Sequence, residues 1–148
     1  WKVDKSYWQT PELHADLLNE KLLLGLEQSG DTQLPALQLE SRFKPFVEDR
    51  LSALIGSSRA ILAHPGGSEL MPAGLNEPVT LAIGPEGGWT DYELTQLVER
   101  GFQACHFGTR LLRVETALPA LVGRLMAPLA RREALSPDTA RPANQARR

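Results

Sequence analysis

The sequence predicts an α/β domain in which a parallel sheet is covered by helices on both faces. Short apolar runs at residues 58–63 (SRAILA), 79–83 (VTLAI) and 103–107 (QACHF) alternate with segments of helical period, the pattern that builds parallel sheets. Each run ends in a turn, LAHPGG, IGPEGGW or FGTRLLR, and in a parallel sheet such turns gather at one edge. A chain of 148 residues is the size of one domain with a core of its own. Together these place a pocket at the carboxyl ends of the strands.

In chain order, residues 12–28 carry Leu13, Leu17, Leu18, Leu22, Leu24 and Leu26 at mostly helical spacing. Thr10 is in place to cap this helix, Pro11 sits in its first turn and Gly30 lies just past its end. Its leucines are expected to be core. Residues 33–40 (QLPALQLE) alternate as a short strand, and residues 43–54 form the next helix. Ser41 is the candidate cap there, with Phe46, Val47, Leu51 and Leu54 on one side. Residues 66–78 are rich in Gly and Pro and read as a connecting loop. In the helix at 90–100, Thr90 and Glu93 have capping-box spacing and Gly101 is the stop. A final helix is expected over 114–131, with Pro119 and Pro128 near its ends and Thr116 as a possible cap.

Composition excludes several classes. The longest apolar runs fall far short of a membrane span, so a cytoplasmic, soluble protein is expected. Cys105 is the sole cysteine and lies in an apolar run, which rules out an internal disulfide and suggests buried packing. His14, His64 and His106 show no metal-ligand spacing, and no metal is expected. The net charge is −2, but residues 131–148 hold five Arg against Glu133 and Asp138, a local +3. This stretch, rich in Pro, Ala and Arg, is expected to be a disordered basic tail able to touch phosphate.

The turns carry the chemistry. In IGPEGGW, Gly84, Gly87 and Gly88 leave room for a ligand against the backbone and Pro85 fixes the turn, although a tight strand-to-helix connection needs the same residues. The pattern is neither GxGxxG nor GxxxxGK[ST], so neither a dinucleotide site nor a P-loop is supported. In LLRVETA, Arg113 and Glu115 stand at the start of an apolar helix, where a carboxylate is favoured by the helix dipole.

IGPEGGWTDYEL followed at close range by FGTRLLRVETA resembles the paired C-terminal motifs of the RsmE family, the small-subunit rRNA uridine N3-methyltransferases of the SPOUT superfamily. EKLLLGLEQSG, LPALQLE and AILAHPGG occur in that family's order, and the resemblance covers roughly residues 1–126. It implies a SPOUT-type α/β knot over residues 1–130 with a deep C-terminal trefoil knot. It also implies S-adenosylmethionine as cofactor, 16S rRNA or the small ribosomal subunit as partner, and a homodimer.

By resemblance the cofactor-binding residues are Leu62, His64, Pro65, Ile83, Gly84, Glu86, Gly87, Gly88, Phe107, Gly108, Leu111 and Leu112. Arg113 would stabilise a developing uridine anion, and Glu115 or Glu86 would take the N3 proton. The dimer contact would use Leu118, Leu121, Val122, Leu125 and Leu129 of the final helix, a face that is equally suited to intrachain core. Phe107-Gly108 and Ala117-Leu118 are mild departures from the family's text. Family members place a barrel-like RNA-binding domain, then a first strand and helix, ahead of the segment that opens here at Trp1, so the sequence is expected to be a fragment. A non-catalytic dimeric RNA-binding or assembly module of the same fold is the alternative reading; a generic nucleotide-binding α/β protein is a third.

Overall fold

The computed structural model describes residues 10–126. The last turns of the helix expected to reach residue 131, with Pro128 and Leu129, and the basic tail at 131–148 lie outside the described residues. The chain divides into two compact units between Leu54 and Ile55.

In the first unit, a 3-10 turn at Pro11–Leu13 precedes helix α1, Ala15–Ser29, which ends at Gly30 in the left-handed conformation. Thr10 therefore heads the 3-10 turn, not α1, and its side chain makes no capping bond. The leucines differ from expectation, because no residue of α1 is buried. Leu18, Leu22 and Leu26 form a half-buried stripe at four-residue spacing, whereas Leu17 and Leu24 lie on the other side of the helix and are exposed. Residues 33–40 are not a strand, since they have no neighbouring strand to pair with among the described residues. This extended segment is held instead through Gln38 and Glu40, both of which accept hydrogen bonds from the Arg50 guanidinium.

The helical run that follows is α2 (Phe43–Pro45), a π-helical turn (Phe46–Arg50) and α3 (Leu51–Ile55). Arg42 takes the N-cap position, Ser41 does not cap, and the side chain of Arg42 makes no capping bond either. Val47 and Leu51 are buried as the spacing predicts, but Leu54 is exposed.

The second unit is a four-stranded parallel sheet of β1 (Arg59–Ala63), β2 (Glu69–Leu70), β3 (Val79–Ile83) and β4 (Gln103–His106), in the order β2-β4-β1-β3. Helix α4 (Asp91–Glu99) joins β3 to β4, and α5 (Val114–Leu125) follows β4. The short strand β2 lies within the loop expected at 66–78. It exists because Glu69 and Leu70 find the free edge of β4 at Cys105 and His106.

The register explains which side chains share a face. Ile61 lies beside Leu81, and Ala63 beside both Ile83 and Cys105. On that face Ile61, Met71, Cys105, Leu121 and Leu125 form the buried core, with Val79, Leu81, Ile83 and Ala117 packed against it. Burying each Leu or Ile contributes about 1.5–3 kcal/mol. Ala60 and Leu62 alternate to the opposite face and are buried there.

The start of α4 is fixed by a complete capping box. Thr90 Oγ1 accepts from the Glu93 N–H at 3.3 Å, and Glu93 Oε2 accepts from the Thr90 N–H at 2.8 Å. Helix α5 starts differently: Arg113 is its N-cap and Thr116, expected as a cap, lies inside the first turn and donates its N–H to the Arg113 carbonyl. The C-terminal end of α5 is tied to the β2–β3 loop. Gly74 and Leu75 donate to the carbonyls of Arg124 and Leu125, and Arg124 Nε donates to the Met71 carbonyl at 2.7 Å.

Candidate functional site

Because all four strands are parallel, the loops after β1, β3 and β4 leave the sheet at one edge. They enclose a cleft of about 770 Å³, within the range of pockets that hold small organic ligands. Its walls are residues 63–65 at the end of β1, residues 83–89 at the end of β3, and residues 107–108 and 110–115 leading into the first turn of α5, with Cys105, Ala117 and Leu121 beneath.

Each wall has a local cause. After β1 the chain turns tightly, with the Gly67 N–H donated to the His64 carbonyl at 3.0 Å and the His64 N–H to the Cys105 carbonyl at 3.0 Å. Gly67 is required by close approach: a Cβ there would lie 2.7 Å from the Ala104 carbonyl oxygen. After β3, the indole of Trp89 packs over Gly84, where a Cβ would meet Nε1 at 3.1 Å. Trp89 Nε1 is buried and without a hydrogen-bond partner among the described residues. After β4, the guanidinium of Arg124 sits 5.9 Å from the centre of the Phe107 ring.

The structure brings the predicted residues together with one exception. His64, Pro65, Ile83, Gly84, Glu86, Gly87, Gly88, Phe107, Gly108, Leu111, Leu112, Arg113 and Glu115 all line the cleft. Leu62 does not; it is fully buried in β1 and faces the other side of the sheet. Arg113 and Glu115 form an open ion pair at 3.9 Å with largely exposed side chains, so both charges are available at the cleft mouth. Sequence reading passed over Trp89, which follows directly on the Gly-Gly pair, and Arg110, which precedes Arg113 by three residues; both line the cleft.

Cys105 is buried as expected, at 1% exposure, and burial pushes its thiol above the ordinary range; Arg59 opposes this shift and Glu69 adds to it. Of the final helix, Leu121 and Leu125 belong to the core, while Leu118 and Val122 are exposed. Among the described residues no cluster of three or more His, Cys, Asp or Glu is placed to hold a metal ion, and no helix is long and apolar enough to cross a membrane.

The family model of the RNA methyltransferase domain matches residues 2–126, and the chain belongs to that family. Within it, the chain is similar to the ribosomal RNA small subunit methyltransferase E of Treponema pallidum, at 30% identity over 84% of this chain and 48% of that protein. It is also similar to the protein of the same name from Synechocystis sp., at 38% identity over 62% of this chain and 31% of that protein. The chain thus spans about half or less of the length of these relatives.

Solved structures agree. A putative methyltransferase from Legionella pneumophila in complex with S-adenosylmethionine superposes with a TM-score of 0.62 at 31% identity, covering 82% of this chain and 48% of that one. The ribosomal RNA small subunit methyltransferase E from Neisseria gonorrhoeae, bound to S-adenosylmethionine, superposes with a TM-score of 0.57 at 28% identity, over 70% and 43%.

Proposed function

We propose that this chain is the catalytic part of an S-adenosylmethionine-dependent methyltransferase that modifies N3 of a uridine in 16S rRNA. The observation that carries the reading is the single cleft in which the three strand-end turns converge with Arg113 and Glu115 at its mouth. Relatives of the same family bear the name ribosomal RNA small subunit methyltransferase E, and two structural neighbours hold S-adenosylmethionine.

The residues fit such a cofactor. Backbone is accessible around Gly87 and Gly88, Ile83, Leu111 and Leu112 supply apolar wall, and Glu86 offers a carboxylate to a cationic or hydroxyl-bearing group. When bound, S-adenosylmethionine supplies an electrophilic methyl group on its sulfonium. The chain's own contribution is orientation of donor and acceptor, which accounts for much of the rate gain in such transfers. Arg113 stabilises negative charge developing on the uridine, and Glu115 or Glu86 accepts the N3 proton.

Two wider features belong to the same reading. A trefoil knot is part of this reading, and the hydrogen bonds from the β2–β3 loop to the end of α5 bring those two segments side by side, as such a knot requires. Exposed Leu118 and Val122 support a homodimer through α5, while Leu121 and Leu125 serve the chain's own core. Residues 1–130 are then the methyltransferase domain.

The test is calorimetric titration of the chain with S-adenosylmethionine, followed by transfer of labelled methyl to 16S rRNA and nucleoside analysis for N3-methyluridine. No binding by the folded protein sinks the cofactor assignment. Label recovered at any other position sinks the uridine assignment. Arg113→Ala with intact cofactor binding and unchanged transfer removes the role given to Arg113.

A further inference from the structure

Two histidines on neighbouring strands make the same turn. His64 directly follows β1, and its Nδ1 accepts the Gly66 N–H at 3.1 Å. His106 is the last residue of β4, and its Nδ1 accepts the Gly108 N–H at 3.3 Å. In both, the ring nitrogen bonds the amide two residues on, and that residue is Gly. A ring nitrogen accepts an N–H only while it carries no proton itself, so each of these bonds requires the imidazole tautomer with its proton on Nε2.

The two turns differ in their support. The loop after His64 has a second bond, Gly67 N–H to the His64 carbonyl, and is short. The loop after His106 runs through residues 107–112, which include much of one cleft wall. Among the described residues, the Gly108 bond to His106 is the one hydrogen bond these six residues make. Gly108 sits at φ 125°, so the chain direction leaving β4 is set at this position. The backbone of His106 is itself anchored, its carbonyl accepting the Met71 N–H at 2.8 Å. His106 does not line the cleft.

We infer that His106 is a positioning residue: through Gly108 it fixes the wall formed by residues 107–112, as His64 does for the β1 turn, and so raises the cleft's affinity for S-adenosylmethionine. The inference rests on the cofactor reading above, and the experiment separates the two. His106→Leu keeps the bulk and removes the acceptor. His106→Asn restores an acceptor, because an Asn side chain readily bonds the amide two residues on.

Three measurements are made on wild type and both variants: affinity for S-adenosylmethionine, amide exchange of residues 107–112, and thermal midpoint. Loss of the Gly108 bond should weaken binding by roughly five- to tenfold in His106→Leu, with recovery in His106→Asn. Exchange at 107–112 should rise in the Leu variant and return to the wild-type level in the Asn variant. Ring nitrogen shifts in wild type should show the Nε2–H tautomer. A wild type that binds no S-adenosylmethionine defeats the cofactor reading and with it the affinity claim, while exchange still reads the loop. Equal exchange and equal affinity in all three proteins overturn the inference, as does an Asn variant no better than Leu.

Discussion

Gly67→Ala should be among the most damaging single-methyl changes in the second unit. A Cβ at this position would stand 2.7 Å from the Ala104 carbonyl oxygen and 2.8 Å from the carbonyl carbons of Ala104 and Cys105, all backbone atoms of β4. The turn would have to retreat by roughly half an ångström or more to regain ordinary contact distances. Retreat lengthens the bonds that lock it, Gly67 N–H to the His64 carbonyl and His64 N–H to the Cys105 carbonyl. Overpacking of about 1–3 kcal/mol plus part of two hydrogen bonds gives a loss of about 2–4 kcal/mol. Urea unfolding should show this as a midpoint lowered by roughly 1–2 M with an unchanged slope. Gly66→Ala is the control, because there the new methyl meets only the His64 ring, at 3.1 Å, and a side chain can give way. If Gly67→Ala costs no more than Gly66→Ala, the close-approach argument is wrong.

Three further outcomes follow from particular contacts. Thr90→Ala breaks the capping box and should cost about 1 kcal/mol in urea unfolding, with Thr90→Ser recovering most of it. Arg124→Met removes the charge-assisted bond to the Met71 carbonyl and the contact with Phe107; a loss of about 2 kcal/mol is expected, together with a shift in the amide spectrum at residues 107–108. Cys105 should resist thiol reagents at pH 7.5 until the protein unfolds. Its raised pKa means that the folded state keeps a proton which the unfolded chain gives up. Stability from this group is therefore complete below about pH 8.5 and declines as pH rises toward the folded value, a slope that Cys105→Ala should lack.

Strands β1, β3 and β4 and helix α4 were legible because their signals are local: an apolar run closed by a turn, and Thr90 with Glu93 three residues on. What escaped depends on neighbours. Residues 33–40 have the alternation of a strand but no partner strand among the described residues, whereas Glu69 and Leu70 have no strand signal and are paired because β4 offers an open edge. The leucines of α1 show helical spacing, yet Leu17 and Leu24 fall away from the stripe of Leu18, Leu22 and Leu26.

The candidate site was largely legible, since strand-end turns in a parallel sheet must converge. Leu62 is the one predicted residue that lies off the cleft: its neighbour Ala63 lines it, so by strand alternation the Leu62 side chain points to the opposite face. Gly84 shows why a glycine pattern alone is ambiguous. Its missing side chain makes room for the Trp89 indole as well as lying on the cleft, and only the fold reveals the first of these.

The bonds from Gly74 and Leu75 to Arg124 and Leu125 set an order of events during synthesis. Partners some fifty residues apart along the chain give these contacts a high loop-closure cost, so they form late. On the ribosome, β1 and β3 are free to pair long before α5 has emerged, but the core that needs Leu121 and Leu125 has no lid until then. The nascent chain must therefore hold Ile61 and Met71 exposed to chaperones or to other chains over that interval. Mutations that weaken the end of α5 should lower soluble yield more than their equilibrium cost alone implies.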